Sequence, residues 1–494
     1  MGNHHINIEN EQFVVPQRAK TTTLIMIVLG LVLSIIGFFT IKSGASDAKH
    51  AINTENTTTI HSSLQQEPQV TNTAAPEHEN EAVTTTENAV EETIDSHSTT
   101  EHTADHGVAH NDVAHSEEHA PAAHHEKPWQ TQVYAAILMN SYYIMLIALG
   151  GLFFICVQYV ANAGWATALL RIPMAMQTFF IIPAIVVMAT IVFGGKDLYH
   201  WIAYQAQHLV EGQPGFDAIL DAKKWFLNPT FLYIILPALI IVWYIFGRRI
   251  MSLSKSEDNE GGTTFFRKSI RTSAAFMVIF GFTFSLLAWL AVMSLDAHWF
   301  STIFGVYHFA ILWVCSLTTI MLFTLYLRSQ GYLKIITDEH IHDMGKYMFA
   351  FCVFWMYIWI AQYLLIWYAN IPEESIYYTM RRHTNFDVFF VINIILNFVI
   401  PFIAFMTRDA KRNPKVIVVV ACSILLGHWI DVYIGIYPGA FNGKVVYPGL
   451  LEIGLFLLFA GVFIRWTLVS LTKRSLIAKN HPYIEESATH NVGV

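Results

Sequence analysis

Charge is what this chain has least of. Asp, Glu, Lys and Arg make up 13% of its 494 residues, about half the ~25% of an ordinary soluble domain, which excludes a single water-soluble globule. Cysteine is scarce too: Cys156, Cys315, Cys352 and Cys422 stand far apart in the sequence. They form no C-x-x-C or C-x-x-C-H pattern, so neither an iron-sulphur cluster nor a covalently attached haem is encoded, and reduced, packed thiols are expected. One long stretch, 43–127, lacks Phe, Trp and Tyr altogether. It cannot bury enough apolar surface to offset the entropy of ordering its backbone, and it reads as a disordered loop.

The net charge of -8 hides two materials. Residues 43–127 carry 16 acidic and 2 basic side chains, net -14, which leaves +6 on the rest of the chain. The same stretch holds 11 of the 23 histidines, among them His102, His106, His110, His115, His119, His124 and His125. Such a tract can attract Zn or Cu, but its irregular spacing lacks the geometry of a structural site. A solvated polyanionic linker with adventitious metal affinity is expected, with no defined metal site and no nucleic acid partner.

What is abundant is apolar: 54% of the residues are hydrophobic and 14% aromatic. Ten segments of about 20 residues, near 22–41, 133–161, 172–194, 230–247, 272–295, 302–327, 347–369, 387–406, 415–436 and 449–471, meet the length needed to cross a ~30 Å hydrocarbon core. Pro183, Pro237 and Pro401 inside them argue for kinked helices packed together. The expected fold class is an all-α polytopic membrane protein of about ten transmembrane helices. With the N-terminus cytoplasmic, inside segments carry 19 Lys and Arg and outside segments 9. The loops 248–271 and 407–415 dominate that count, as the positive-inside rule requires. Thr22 to Ile41 is followed by no A-x-A-like site, so a retained helix is expected rather than a cleaved signal. The organisation is then a cytoplasmic N-terminus and first helix over 1–42, an acidic outer loop over 43–127, a nine-helix domain over 128–472 and a cytoplasmic tail over 473–494.

Ionisable groups inside a membrane are costly and therefore candidates for function. In the ninth helix, Gly427-His428-Trp429-Ile430-Asp431-Val432-Tyr433 puts an imidazole and a carboxylate three residues apart on one helix face. Such a pair can pass a proton. Glu452, at the start of the tenth helix, should lie at similar depth. Asp296, His298 and Trp299 fall at the same outer boundary, with His308 two turns into the sixth helix. Trp299, Trp429 and Tyr433 are among the aromatics that can wall a flat ring. The bland alternative is equally physical: polar groups near helix ends meet water, with Trp and Tyr in the usual interfacial belt. Asn393 and Asn397, one turn apart, suit interhelical hydrogen bonding. His340, His342 and Asp343 suit a helix start.

A resemblance adds to this. Thr337 to Glu374 (TDEHIHDMGKYMFAFCVFWMYIWIAQYLLIWYANIPEE), Ser294 to Gly305 (SLDAHWFSTIFG), Gly427 to Val432 (GHWIDV), Glu452 to Gly454 (EIG) and Pro482 to Ser487 (PYIEES) resemble the ActF subunit family of bacterial alternative complex III. The resemblance runs from about residue 128 to the C-terminus. It implies an NrfD-like integral membrane subunit with two four-helix bundles and peripheral helices. It also implies a quinol:electron-acceptor oxidoreductase complex in the bacterial cytoplasmic membrane. There menaquinol is oxidised, and electrons pass through iron-sulphur clusters and c-type haems in partner subunits to cytochrome c or a terminal oxidase. The partners implied include the paralogous NrfD-like ActC subunit, an iron-sulphur subunit and c-haem subunits. His428, Asp431 and Glu452 become candidates for proton transfer, and Asp296, His298, Trp299, Trp429 and Tyr433 for a quinone-proximal role.

Two other classes compete. A secondary metal-ion transporter would use the His-rich loop with intramembrane His and Asp, although such sites sit at the bilayer midplane on broken or repeated helices. A haem-b anchor would take His308 and His428 as axial ligands.

Overall fold

The computed structural model describes residues 11–64, 129–382 and 386–491. Among them are ten helices long and apolar enough to cross a membrane, and the chain is an all-α polytopic membrane protein. In order they are α1 (Gln17–Leu64), α2 (Trp129–Val160), α3 (Arg171–Leu198), α4 (Pro229–Glu260), α5 (Thr264–Ala291), α6 (Phe304–Ser329), α7 (Asp338–Ala369), α8 (Asp387–Ala404), α9 (Pro414–Ala440) and α10 (Leu450–Leu471). Each corresponds to one expected segment. The helices are longer than the hydropathy suggests at their basic ends. The expected loop 248–271 shrinks to a turn at Gly261, Gly262 and Thr263, with both glycines at positive φ. The reason is that hydropathy reports the stretch in hydrocarbon, whereas a helix continues into water wherever charged side chains can be solvated there.

By contacts the chain divides into Met1–Ser46 with Lys127–Val494, and Asp47–Glu126. The backbone of α1 stays helical to Leu64, into the stretch expected to be a disordered loop; residues 65–127, with the His-rich run, lie outside the described residues.

The helices group as α2 to α5 and as α6 to α9. α2 touches α3 and α5, and α4 lies on α5; α6 touches α7 and α9, and α8 lies against α9. α2 also contacts α6, α9 and α10, so it is the hub joining the two sets. It and α6 are the most enclosed spans, as suits helices that are apolar all round. α1 crosses α10 at close range: a Cβ on Gly30 would run into the backbone of Leu458, and one on Gly454 into Ser34. Small residues of this kind let membrane helices approach where no hydrophobic effect drives them together.

Proline marks the local breaks. α3 is interrupted over 178–180 and resumes at Ile181 with Pro183 in its first turn, where a missing N–H costs nothing. In α8 a π-helical turn, Ile395–Val399, precedes Pro401. At the basic end, Gln12 forms an isolated antiparallel bridge with Ser475, and Leu476 N–H donates to Glu11 O at 3.0 Å. The described N-terminal and C-terminal segments therefore lie on one side, as an even number of crossings requires.

The histidines at 340 and 342 begin α7. His340 Nδ1 accepts the Thr337 N–H at 3.1 Å, the helix-start role expected of this group. Cys156, Cys315 and Cys352 are buried free thiols, whereas Cys422 is exposed on the outside of the bundle.

Candidate functional site

Asn413 opens α9 by accepting the Lys415 N–H, and Pro414 follows at the first helical position. Asp431 then comes about two-thirds of the way along the helix, remote from the basic loops. Its side chain is 1% exposed and His428 is fully buried. Four side chains converge on this carboxylate. Trp355 Nε1 of α7 donates to Oδ2 at 3.0 Å, and Asn393 Nδ2 of α8 donates to Oδ1 at 2.8 Å. The Tyr307 hydroxyl of α6 donates to Oδ1. His428 Nδ1 stands 3.4 Å from Oδ2, so the expected imidazole–carboxylate pair is present.

The backbone around the site explains its assembly. Asn397 Nδ2 donates to Asn393 Oδ1 at 2.5 Å, which turns the Asn393 amide so that its NH2 faces Asp431. Asn397 belongs to the π-helical turn of α8, a local distortion that often accompanies functional sites. A Cβ on Gly427 would collide with Asn397 Oδ1 and crowd Leu396. The glycine before His428 is thus the gap through which α8 approaches α9.

The chemistry is set by which partners are obligate donors. An indole N–H and an amide NH2 can only donate, and one sits on each Asp431 oxygen. A proton can therefore be exchanged with Asp431 only along the contacts to Tyr307 and to His428. His428 Nε2 is buried with no hydrogen-bond partner, as is Asn397 Oδ1. A buried unsatisfied polar atom costs about 1–3 kcal/mol, so the open imidazole nitrogen marks the end of the chain Tyr307–Asp431–His428.

Glu452 is not part of this hub. It is fully buried at the start of α10, where Oε2 accepts the Gly449 N–H at 2.7 Å and Oε1 accepts the Tyr437 hydroxyl at 2.7 Å and Gln132 Nε2 at 3.2 Å. Trp429 reaches the same neighbourhood by donating to Asn140 Oδ1 at 2.9 Å, while Asn140 Nδ2 donates to Glu452 O at 3.3 Å. Tyr433 donates to Val446 O at 2.8 Å.

The remaining candidates form a third group. Asp296 Oδ2 accepts Arg381 Nη2 at 2.8 Å, and Arg381 is 1% exposed. Arg381 also donates through Nε to Ile434 O at 3.1 Å and lies over the Tyr377 ring. Burial works against its charge, but the neighbouring Tyr377 and Asp296 more than offset this and hold its pKa above the ordinary range. Trp299 stacks on Tyr377 with centroids 3.8 Å apart. Asp296 and Trp299 thus dock the short helix Pro372–Arg382 onto the end of α9. His298 is half-exposed and pairs with Asp217 Oδ2 at 2.6 Å. Burial raises the Asp217 carboxyl, but the Leu220 and Ile219 N–H groups and His298 outweigh it, and the group sits below its ordinary value.

The aromatic candidates therefore do not enclose one pocket. A cleft of about 240 Å³ has Trp299, Trp289 and Phe226 in its walls, with neither Trp429 nor Tyr433. His308 Nδ1 lies 3.0 Å from the Tyr142 hydroxyl, and Phe304 packs on its ring at 4.4 Å. Among the described residues no three His, Cys, Asp or Glu side chains are grouped to hold a metal ion.

Sequence reasoning missed Trp355 and Arg381. An indole inside FCVFWMYIW and an arginine just past an apolar segment carry no local signal of partners contributed by α9. Set beside known proteins, the chain matches no family model and no curated protein.

Proposed function

We propose that this chain is an ActF-like, NrfD-related membrane subunit of a quinol:electron-acceptor oxidoreductase complex of the alternative complex III type. In this reading it carries no redox centre of its own and contributes a buried proton-holding site. It lies in the bacterial cytoplasmic membrane with both termini cytoplasmic and the 43–127 loop periplasmic. Its partners supply the iron-sulphur clusters and c-type haems, and the acceptor is cytochrome c or a terminal oxidase. The motif resemblance supports the complex; the convergence of Tyr307, Trp355, Asn393 and His428 on Asp431 supports the proton role.

Oxidation of a quinol releases two electrons and two protons, and the protons need a base and an exit. Asp431, with Trp355 and Asn393 fixed as donors, orients the Nδ1 side of His428. The imidazole then takes a proton at Nε2, and Asp431 balances the resulting charge. Tyr307, on the other oxygen, is the second contact along which a proton reaches or leaves Asp431. Asp296 is tied through Oδ2 to Arg381, and neither Trp429 nor Tyr433 joins Trp299 in one cleft, so the proton role is favoured over ring binding at Trp299.

The test is Asp431→Asn and His428→Ala in the assembled complex. Loss of an acid–base group costs about 100-fold or more in rate, read as quinol-dependent reduction of cytochrome c together with proton release. Assembly should persist, because Asn keeps the size of Asp and leaves only one of the two obligate donors without its acceptor, at about 1–3 kcal/mol. Wild-type turnover and wild-type proton release in both variants would sink the proton role.

A further inference from the structure

At the end of the bundle that carries the basic loops, a cavity of about 420 Å³ opens between the start of α3, the middle of α4 and the end of α10. Four cations, Arg171, Arg248, Lys473 and Arg474, stand in its wall, and no carboxylate does. Arg171 is 4% exposed and is balanced by Asp258; it also donates to Ser254 Oγ at 2.8 Å, while its Nε is buried without a partner. The other three are not balanced: among the described residues no carboxylate forms an ion pair with Arg248, Lys473 or Arg474. Arg474 reaches only the Met251 carbonyl, at 3.3 Å. Burial first, and then the Arg171 cation, push its guanidinium below the ordinary range, with Asp258 opposing.

Uncompensated positive charge of this density calls for an anion. Its setting says which kind. Trp466 and Tyr244 line the cavity as partly exposed aromatics, and Trp466 Nε1 is anchored on Thr178 Oγ1 at 3.0 Å; aromatics so placed mark the headgroup level of a bilayer. One helical turn deeper into the membrane, Ile185 on α3 and Ile241 and Ile245 on α4 are exposed. A phosphate held at the cavity would therefore have an apolar track beneath it.

We propose that this cavity binds the phosphodiester headgroup of an anionic phospholipid, with its acyl chains along Ile185, Ile241 and Ile245. Basic pockets between membrane helices on the positive side suit such headgroups. The site involves neither Asp431 nor His428 and does not depend on the proposed respiratory role.

The test uses the full chain in neutral-lipid nanodiscs, titrated with phosphatidylglycerol or with phosphatidylcholine of the same acyl chains, and read by native mass spectrometry. Phosphatidylglycerol should bind preferentially. The double variant Arg248→Gln and Lys473→Gln should weaken it about 25-fold, at about fivefold per cation, and Arg248→Gln alone about fivefold. Arg249→Gln, exposed on the same helix but outside the cavity wall, should leave binding unchanged, and inorganic phosphate at millimolar concentration should not compete. Equal binding of the two lipids would overturn the proposal, as would equal weakening by Arg249→Gln. Competition by inorganic phosphate would make it a free-phosphate site, and occupation by an acidic segment of a co-purified protein a protein contact; either result refutes the lipid.

Discussion

Asp431 and Glu452 are both fully enclosed carboxylates in the half of the bundle remote from the basic loops, yet they differ in what holds them. Glu452 accepts the backbone N–H of Gly449, three residues before it. This is the local geometry by which an acidic residue satisfies the start of its own helix. Tyr437 and Gln132 complete it, and no imidazole is within its hydrogen-bond set. Asp431 receives no backbone donor. All its partners are side chains, three of them from other helices, and one neighbour is a histidine with an open nitrogen. Burial alone thus does not identify a working acid; the origin of its hydrogen bonds does. A carboxylate tied to its own helix end stabilises that end, whereas one assembled from four helices is expensive to build and has a titratable neighbour with which to exchange.

Removing each acid should separate the two roles most clearly. Asp431→Leu strands the Trp355 indole N–H, the Asn393 amide and the Tyr307 hydroxyl at about 1–3 kcal/mol each, for a loss on the order of 4 kcal/mol. Glu452→Gln keeps an oxygen for the Gly449 N–H and should cost about 1 kcal/mol. Unfolding of the detergent-solubilised chain measures both; equal losses would mean that Glu452 is as central as Asp431.

A gentler pair sharpens the comparison. Tyr307→Phe and Tyr437→Phe each delete one hydroxyl from one carboxylate. On the proposed role, Tyr307→Phe slows turnover of the complex about tenfold, within the reach of a proton-transfer contact, and Tyr437→Phe leaves it within twofold. Identical rates in the two variants would remove Tyr307 from the proton chain.

The smallest expected effect lies away from both acids, in the C-terminal segment. His481 Nδ1 accepts the Tyr483 N–H at 3.2 Å, and Phe266 packs edge-on against its ring. Burial, and then the Arg171 cation, push its pKa down to about 4. An unfolded His titrates near 6.5, so the detached segment binds a proton more readily than the docked one. Docking is therefore strongest above about pH 6.5 and weakens progressively as pH falls toward 4, at about 1.4 kcal/mol per pH unit. Limited proteolysis near residue 480 should accelerate from pH 7.5 to 5.5, and His481→Phe should flatten that dependence. A slope unchanged by the variant would assign it to another group.

Much of this was legible beforehand. Ten spans, the gathering of most Lys and Arg at one end of the bundle, and the His428–Asp431 pair all follow from patterns short enough to read along one helix. Asn393 and Asn397 were legible as hydrogen-bonding residues, but not as the pair that aims an amide at Asp431. Trp355 was invisible in an aromatic run, and Arg381 looked like an ordinary loop cation. Glu452 shared the expected depth with Asp431 without sharing its neighbours, because depth fixes only one coordinate. Two quoted motifs also meet in a way no spacing showed: Ser487, of PYIEES, accepts the Ala168 N–H at 3.2 Å and lies 3.3 Å from His340 of TDEHIHD.

The sequence by itself determined the number of crossings and the polarity of the two ends. A hydrocarbon slab demands about 20 apolar residues with every backbone group satisfied internally, whatever the helix packs against. Tertiary structure alone decided which buried acid gathers three donors from other helices. That outcome depends on helix rotation and on the close approach permitted at Gly427 beside the π-helical turn. Contacts between helices are governed by packing in three dimensions, and a one-dimensional pattern constrains only which face each residue shares.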